Sequence, residues 1–366
     1  MQVHIPLLII CVILSILPTK GAFKEKWLMP LCMLLITIYM AIRYDYGLDF
    51  WSYYNSFIDG KHGHRTSYTE PIYWLFSSMF TKYYQLVASV SIALMLAVYF
   101  WVRKLVPHRW YWLFFLCFMC IPGQSFAMMT AMRTSLAFAI ISFGIYRYYI
   151  KETNWILYIF TVLIATMCHN SAIIFILIPI LYTFVLRINP SIFFALFLLF
   201  SVFSFTGVAQ DISQNIFKLF YSVNFIDADY YSHYSVKYVS NVNGAIGRLP
   251  WMFPAYYICN YAKRSQNELF KKIYVLSLIY FSLFFLSLDF EYRFTLYFLI
   301  YVIIALVISI DNINFVNKTI ALLPVIVVCI YQLNGYYHLM QVELYGVYSE
   351  GNFFIYSTIF DNLPLI

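Results

Sequence analysis

Apolar runs of membrane-spanning length follow one another along almost the whole chain, separated by polar segments. About 20 apolar residues in a helix cross the hydrocarbon core of a bilayer. The pattern predicts an all-α, polytopic transmembrane bundle of about 12 helices. The predicted spans are Val3 to Pro18, Trp27 to Ile42, Leu86 to Val102, Trp110 to Ile121, Ala127 to Tyr149, Trp155 to Cys168, Ala172 to Leu186, Ser191 to Gly207, Leu249 to Ala262, Ile273 to Leu288, Phe294 to Ile310 and Thr319 to Tyr337.

The composition supports the same class of protein. Of the 366 residues, 63% are hydrophobic, 22% aromatic and only 11% charged. A soluble domain carries about 25% charged residues, so soluble globular, disordered and nucleic-acid-binding proteins are excluded. The seven cysteines all lie in apolar runs, and their spacing fits neither a metal site nor a disulfide framework. We therefore expect no metal, no disulfide and no nucleic-acid partner.

The distribution of basic residues predicts the orientation of the chain. No Lys or Arg precedes the first apolar run, but Lys20, Lys24 and Lys26 follow it, which favours a retained helix over a cleaved signal peptide. With the N-terminus outside, the cytoplasmic segments hold 14 of the 23 Lys and Arg residues but only 4 of the 16 Asp and Glu residues. This asymmetry follows the positive-inside rule.

The longest polar segments are then predicted on the outer face, at residues 43–85, 208–248 and the tail 334–366. Loops of this length are usually functional. The whole chain, residues 1–366, is predicted to form a single integral membrane domain. No Gly-rich phosphate-binding motif is present, and no nucleotide is available outside the cytoplasm, so energy must arrive with the substrate. No cofactor is expected.

The first candidate motif is R-Y-D-Y-G-L-D-F-W-S-Y-Y, Arg43 to Tyr54, where the second predicted span ends. Gly47 permits a tight turn that can direct Arg43 and Asp49 back to the membrane surface. The aromatic residues fit an interfacial belt. An interfacial anchor accounts for the aromatic residues, but it does not require an acidic residue a short distance after the arginine. Arg43 and Asp49 are therefore predicted to be functional.

The second candidate is Arg133, which lies nearly two turns inside the apolar segment Ala127 to Ala139. A guanidinium at the centre of a membrane helix costs about 2.5–3.5 kcal/mol on insertion scales, so it must face a polar cavity or an anionic partner. Two interpretations stay open. Arg133 binds an anionic ligand, or it forms a structural ion pair with an acidic residue of the outer face.

Two outer turns and the long loops carry the remaining candidates. His169 lies in M-C-H-N-S-A between the sixth and seventh spans, where a packing histidine and a functional base are both possible. Asp289, Glu291 and Arg293 share a short turn, which could also hold an internal salt bridge. The long loops add Glu70, Asp211, Asp227, Asp229, His233 and Arg248.

These residues together predict an anion-binding vestibule at the outer face. Arginine suits diphosphate because its planar guanidinium makes bidentate, charge-assisted bonds and keeps its proton. A carboxylate or a histidine beside the anion could deprotonate an attacking hydroxyl, while the arginines stabilise a departing diphosphate.

In these motifs the chain resembles the EpsG family and, more broadly, the Wzy polymerases of O-antigen and exopolysaccharide. The resemblance rests on the order of four motifs between about residues 40 and 300 on one membrane face. The motifs are R-x-x-x-G-x-D-x-x-x-Y from Arg43, M-R-x-S-L-A-x-A with Arg133, C-H-x-S-A with His169 and Y-R-x-x-x-Y-F with Arg293.

The resemblance implies a GT-C-like, metal-independent glycosyltransferase on the periplasmic side of the bacterial inner membrane. Such an enzyme transfers a growing polysaccharide from undecaprenyl diphosphate to the next lipid-linked repeat unit. The implied partners are undecaprenyl-diphosphate-linked glycans and membrane lipids, with a polysaccharide chain-length regulator as a further candidate. The base would be Asp49, which is preferred, or His169. Glu291 would bind substrate, and it also stays open as the base. The implied diphosphate ligands are Arg43, Arg133, Arg248 and Arg293.

Three other functions stay open. A lipid-linked oligosaccharide flippase would also have about 12 spans, but such transporters place their charges near the midplane and carry internal repeats. An O-antigen ligase would transfer the same chain to a lipid A core. A multispan acyltransferase would use His169 as base.

Overall fold

The structure is a computed structural model that describes residues 3–17, 20–44, 49–61, 70–121, 125–206, 215, 249–286, 291–342 and 357–358. The chain divides into two compact units, Met1–Pro179 with Cys329–Ile366 and Ile180–Val328. The boundaries between these units fall inside two helices, Ile178–Val185 and Phe315–Val342.

The described residues are almost entirely helical. In apolar sequence a helix is favoured because it satisfies every backbone N–H and C=O within the segment, without water. The helices up to the first boundary are α1 (His4–Ile16), α2 (Gly21–Phe23), α3 (Met29–Ala41), α4 (Phe50–Lys61), α5 (Pro71–Ser78), α6 (Tyr83–Leu105), α7 (Tyr111–Cys120), α8 (Phe126–Thr130), α9 (Met132–Gly144) and α10 (Trp155–Thr166). The later helices are α11 (Ile178–Val185), α12 (Pro190–Thr206), α13 (Met252–Arg264), α14 (Glu268–Leu286), α15 (Glu291–Asp311) and α16 (Phe315–Val342).

Short segments of other helix types connect several of these elements. Lys24–Leu28 and Ile145–Ile150 are π-helical, and they precede α3 and follow α9. The 3₁₀ segments are His108–Trp110, Asn170–Leu177 and Leu249–Trp251.

α6 is central to the first unit and packs against α3 and α9. Its buried side chains recur at helical spacing, as in Leu86, Val90, Leu94 and Val98. α9 in turn packs against α10, where Gly144 permits a close approach, because a Cβ at this position would lie 2.7 Å from Cγ2 of Thr161. Small residues serve the same purpose at helix interfaces in membranes generally.

In the Ile180–Val328 unit, α14 packs along α15. The buried hydroxyl of Ser277 lies 3.0 Å from the Ile273 carbonyl and 3.2 Å from the Tyr301 carbonyl, so backbone acceptors satisfy it in an apolar interface. The rings of Phe281 and Phe285 stack at 5.8 Å between centroids in the same unit.

A two-residue antiparallel ladder joins β1 (Arg43–Tyr44) to β2 (Ser357–Thr358). Arg43 pairs with Thr358, and Tyr44 pairs with Ser357. The ladder therefore brings part of the predicted C-terminal tail to the end of the second predicted span.

The all-α class predicted from the sequence is confirmed, and each predicted span overlaps a helix. Of the described helices, Tyr83–Leu105 and the part of α15 from Phe294 to Asp311 are long and apolar enough to cross a membrane by themselves. Shorter apolar helices include His4–Ile16, Trp155–Thr166 and Pro190–Phe203. The number of about 12 spans, the GT-C-like fold and the single domain remain predictions.

The structure differs from the predicted elements in two places near the candidate site. The segment 43–85, predicted as a polar outer loop, contains α4 and α5. The predicted span from Ala127 to Tyr149 is interrupted at Ala131, where a ψ angle of 71° ends α8 and precedes α9. Both differences bear directly on the candidate site.

Candidate active site

Glu70, Arg133 and His169 meet in one polar cluster, which we call the Glu70 cluster. Along the chain, 63 residues separate Glu70 from Arg133, and 99 separate it from His169. Glu70 directly precedes α5, Arg133 lies in the first turn of α9, and His169 follows α10. All three residues belong to the first compact unit.

The carboxylate of Glu70 is buried and accepts bonds on both oxygens. Oε1 lies 2.7 Å from Nδ1 of His169 and 3.1 Å from the backbone N of Asn170. Oε2 accepts a hydrogen bond from Nη1 of Arg133 at 3.1 Å. A buried charge is tolerated when it is paired and hydrogen-bonded in this way.

These contacts keep Glu70 ionised. Burial by itself would raise the pKa of the carboxyl, but the bond from His169, the charge of Arg133 and the N–H of Asn170 outweigh it and hold the pKa of Glu70 below its ordinary value of 4.5. An ionised carboxylate only accepts hydrogen bonds, so Nδ1 of His169 carries the proton of their shared bond.

His169 is therefore oriented as a base. When the ring is neutral and its proton is on Nδ1, Nε2 presents a lone pair. Within the described ranges of the chain, the His169 side chain makes no hydrogen bond other than the one to Glu70. The ring is nevertheless packed, since the side chain is only 9% exposed. A carboxylate that fixes the tautomer of a histidine is the arrangement found in catalytic triads.

Backbone contacts hold the acid and the base together. The N–H of Ile72, in the first turn of α5, donates to the carbonyl of Met167 at 3.1 Å. Met167 stands two residues before His169 and ends α10. Pro71 occupies the start of α5, where its missing N–H carries no penalty. The position of Glu70 therefore depends on the docking of α5 against this turn.

Two of the three guanidinium nitrogens of Arg133 bond described residues. Nη1 donates to Glu70, and Nε donates to the hydroxyl of Tyr53 at 3.4 Å. The Arg133 side chain is 27% exposed. Among the described residues, nothing bonds Nη2. The structural ion pair that the sequence left open is thus present, and in the described part of the chain it leaves Nη2 unused.

A break in the helix places Arg133 at an accessible end. An interrupted helix leaves its last carbonyls without intrahelical donors. Ser135 satisfies one of them, since its hydroxyl donates to the carbonyl of Met128 in α8. Because α9 starts at Met132, directly after the break at Ala131, the guanidinium of Arg133 leaves from a first helical turn rather than from a helix centre.

Arg43 satisfies the next carbonyl of the same break. It is 3% exposed, and its Nη2 donates to the carbonyl of Met129 at 2.6 Å. Its Nη1 donates to the carbonyl of Met40 at 2.6 Å and to the hydroxyl of Ser91 at 3.3 Å. Arg43 therefore links the end of α3, the body of α6 and the α8–α9 break. These contacts favour a structural role for Arg43 over direct contact with a substrate.

An aromatic cluster supports the other side of the site. Tyr53 packs against a buried group on α4, α6 and α9 that includes Phe50, Tyr83 and Met132. The Tyr83 hydroxyl donates to the carbonyl of Phe50 at 3.2 Å. Through Tyr53, this group positions the guanidinium of Arg133.

Of the predicted site residues not yet placed, Asp49 alone has a described side chain, and its charge acts on Tyr53, which bonds Arg133. Asp49 is exposed in the turn before α4, and its carbonyl accepts from the N–H of Tyr53 at 3.0 Å. Arg248 lies outside the described residues. The backbone of Glu291 and Arg293 belongs to the first turn of α15, in the other unit, but their side chains lie outside the described part.

Glu70 is the residue that sequence reasoning undervalued. It was one acidic residue among several in the long loops, with no motif around it. A signal was present all the same, because an intramembrane Arg133 requires an acidic partner, and Glu70 directly precedes a proline at a possible helix start.

The fold and the Glu70 cluster together define a helical membrane protein. Its candidate site joins the buried, ionised Glu70 to His169 and Arg133. Residues 26–356 match the sequence model of the EpsG family, and the chain belongs to that family. Comparisons with curated proteins and with solved structures found no match. Membership indicates a membrane protein associated with exopolysaccharide, in a family linked to Wzy-like, glycosyltransferase-like polymerases.

The role of Arg43 can be tested by Arg43→Met. This substitution leaves two buried carbonyls without their donor, and each hydrogen bond from a charged group contributes about 1.5–3 kcal/mol, so we expect a loss of about 2–4 kcal/mol in the free energy of unfolding. Unfolding in detergent micelles measures the loss. Ser91→Ala, which removes the longest of these Arg43 contacts and the bond from the Ser91 hydroxyl to the Val87 carbonyl, is the control and should have a smaller effect. Unchanged stability of Arg43→Met would contradict the structural role.

The ionised state of Glu70 predicts a pH dependence of stability. Because the folded pKa lies below the unfolded value, Glu70 stabilises the protein above about pH 4.5, and this contribution disappears as the pH falls through the folded pKa. The wild type should therefore be more stable than Glu70→Gln near neutrality, and the difference should shrink on acidification.

The pH dependence is measured as the free energy of unfolding of each variant across the pH range, and its control is Glu268→Gln. The side chain of Glu268 is 66% exposed and pairs with Lys271 at 2.7 Å, so this substitution should change stability little at any pH. A Glu70→Gln variant as stable as the wild type at pH 7 would contradict the assigned ion pairs.

Proposed function

We propose that the protein is an O-antigen polymerase that joins undecaprenyl-diphosphate-linked oligosaccharide repeat units. The reaction would take place on the periplasmic side of the inner membrane, with undecaprenyl diphosphate as the leaving group. The observation that carries the proposal is the Glu70 cluster, which combines an oriented base with a partly free arginine. Membership in the EpsG family supports the same substrate class.

His169 is the general base in this proposal. The Nε2 lone pair accepts the proton of the acceptor sugar hydroxyl, while Nδ1 stays bonded to Glu70. Glu70 holds the tautomer and stabilises the imidazolium that forms. Asp49, the base preferred from the sequence, is exposed in the turn before α4.

Arg133 binds the diphosphate through Nη2. As the acceptor oxygen forms its bond to the anomeric carbon, the bond from that carbon to the diphosphate oxygen breaks. The electron pair leaves with the diphosphate. Arg133 and Glu70 together carry no net charge, but the proton accepted by His169 makes the cluster cationic as negative charge develops on the leaving group.

The remaining predicted residues complete the proposal. Arg248 and Arg293 would supply further positive charge for the two diphosphates of donor and acceptor, and Glu291 would contact the substrate. Arg43 would act by holding the helix break rather than by touching phosphate. The arginines replace a divalent ion at the leaving group, so the proposed enzyme is metal-independent. A polysaccharide chain-length regulator is the proposed protein partner.

Arg133→Ala, expressed in a deletion strain, should abolish long polysaccharide chains and leave single repeat units on the lipopolysaccharide core. The reason is the loss of the diphosphate ligand, and gel analysis of lipopolysaccharide measures it. Arg293→Ala should give the same pattern. Arg103→Ala is the matched control, because Arg103 is exposed and pairs with Glu25 at 3.4 Å.

The polysaccharide made by these strains also distinguishes a polymerase from a flippase and from a ligase. A normal length ladder from Arg133→Ala would refute the diphosphate role. Loss of a flippase would trap repeat units on the cytoplasmic leaflet, and loss of a ligase would leave the core without even one unit. Either of these two patterns in the deletion strain would replace the polymerase proposal.

The base can be assigned with purified enzyme and lipid-linked units. His169→Ala and Glu70→Gln should lower kcat by about 10²- to 10⁴-fold, with a small change in KM, because general base catalysis is lost. Added imidazole should restore part of the activity of His169→Ala but not that of Glu70→Gln. Asp49→Asn should stay close to wild type. The reverse ranking of His169 and Asp49 would assign the base to Asp49.

A further inference from the structure

The outward face of α5 carries large exposed apolar side chains, with Ser78 as a polar residue among them. Three large side chains on this face are exposed, Trp74 at 44%, Leu75 at 54% and Met79, just after the helix, at 70%. They recur at intervals of one helical turn, together with the exposed Pro71 and Ser78. An exposed apolar face of this kind marks a contact with another molecule or with a membrane.

The inward face of α5 is apolar as well. Tyr73, Phe76 and Phe80 pack against the aromatic cluster described above. Between Glu70 and Lys82 the sequence contains no charged residue. A helix with large apolar side chains on both faces and no charge is favoured in a protein core or in lipid, because neither face gains much from water.

The neighbouring helix α4 is different. Polar side chains dominate its exposed positions, which are Trp51, Ser52, Asn55, Ser56 and Lys61. α4 and α5 contact each other and come from the same predicted loop, yet α4 exposes mostly polar side chains and α5 mostly apolar ones. The contrast indicates different surroundings for the two helices.

The α5 face continues a surface that suits lipid. On α10, Phe160, Leu163 and Met167 form an exposed stripe at helical spacing, with exposed fractions of 58%, 46% and 44%. The stripe ends at Met167, and its carbonyl accepts the hydrogen bond from the N–H of Ile72 in α5. The apolar surface of α10 therefore leads directly to α5.

The length of α5 decides how it can meet the bilayer. Its eight residues span about 12 Å, well short of the ~30 Å hydrocarbon core, so it cannot cross the membrane. Trp74 is suited to the interface between head groups and acyl chains, and the exposed Lys82 follows where the chain enters α6.

We propose that α5 is an interfacial helix whose outward face, Trp74, Leu75 and Met79, is inserted into the bilayer leaflet in which α10 ends. The occupant of this surface is lipid, since the face continues the apolar stripe of α10. Because Glu70 directly precedes Pro71, the same insertion places the Glu70 cluster at the membrane surface. The proposal does not depend on the chemistry of the cluster.

The test uses two single substitutions, Leu75→Cys on α5 and Ser56→Cys on α4. Both positions are exposed, and all seven native cysteines are buried, so an environment-sensitive thiol fluorophore reports on the new site. The labelled full-length proteins are reconstituted in nanodiscs with and without spin-labelled lipids. We expect blue-shifted emission and strong lipid quenching at position 75. At position 56 we expect water-like emission that aqueous iodide quenches.

Two outcomes would overturn the proposal. Iodide quenching at position 75 equal to that at position 56, without lipid quenching, would place the face of α5 in water. Quenching at position 75 by neither lipid nor iodide would mean that another protein or a second copy covers it. Trp74→Phe provides a label-free measurement, because quenching of intrinsic fluorescence by brominated lipids should be weaker than in the wild type. Equal quenching in the two proteins would also refute the insertion.

Discussion

The buried carboxylate of Glu70 is the constraint on which the candidate site depends. An ionised carboxylate away from water is tolerated only when its oxygens are satisfied, and here three donors from two other segments converge on them. Glu70 needs these donors, and the residues that donate to it also depend on Glu70. Glu70 balances the charge of Arg133 in an apolar helix end, and it also sets the proton position on His169. One charge thus connects the stability of the fold to its chemistry.

A second charged residue, Arg43, satisfies unpaired backbone carbonyls in the same compact unit. The break at Ala131 exposes Arg133, but it also leaves carbonyls unpaired inside an apolar region. Arg43 and Ser135 supply the missing donors. The two arginines near this predicted membrane surface therefore have separate roles. Arg43 stabilises the backbone at the helix break, and Arg133 is placed by the break at the start of a helix.

In the proposed function, the substrate carries a lipid anchor, and the location of the cluster suits it. Glu70 begins a short helix with an apolar outer face, and the base follows a helix with an exposed apolar stripe. A site framed by such surfaces can receive a head group while its lipid tail stays in the bilayer. Membership in the EpsG family is consistent with this kind of substrate.

The sequence by itself determined the class of fold, the membrane association and two members of the candidate site. Apolar runs form helices because a helix needs no partner for its backbone, so local composition is sufficient to predict them. Arg133 and His169 stood out because a polar side chain in an apolar run is costly wherever the rest of the chain lies. Glu70, the role of Arg43 and the break at Ala131 were decided only by the tertiary structure. Their energies depend on which distant donor meets which acceptor, and no local pattern encodes a pairing across 99 residues.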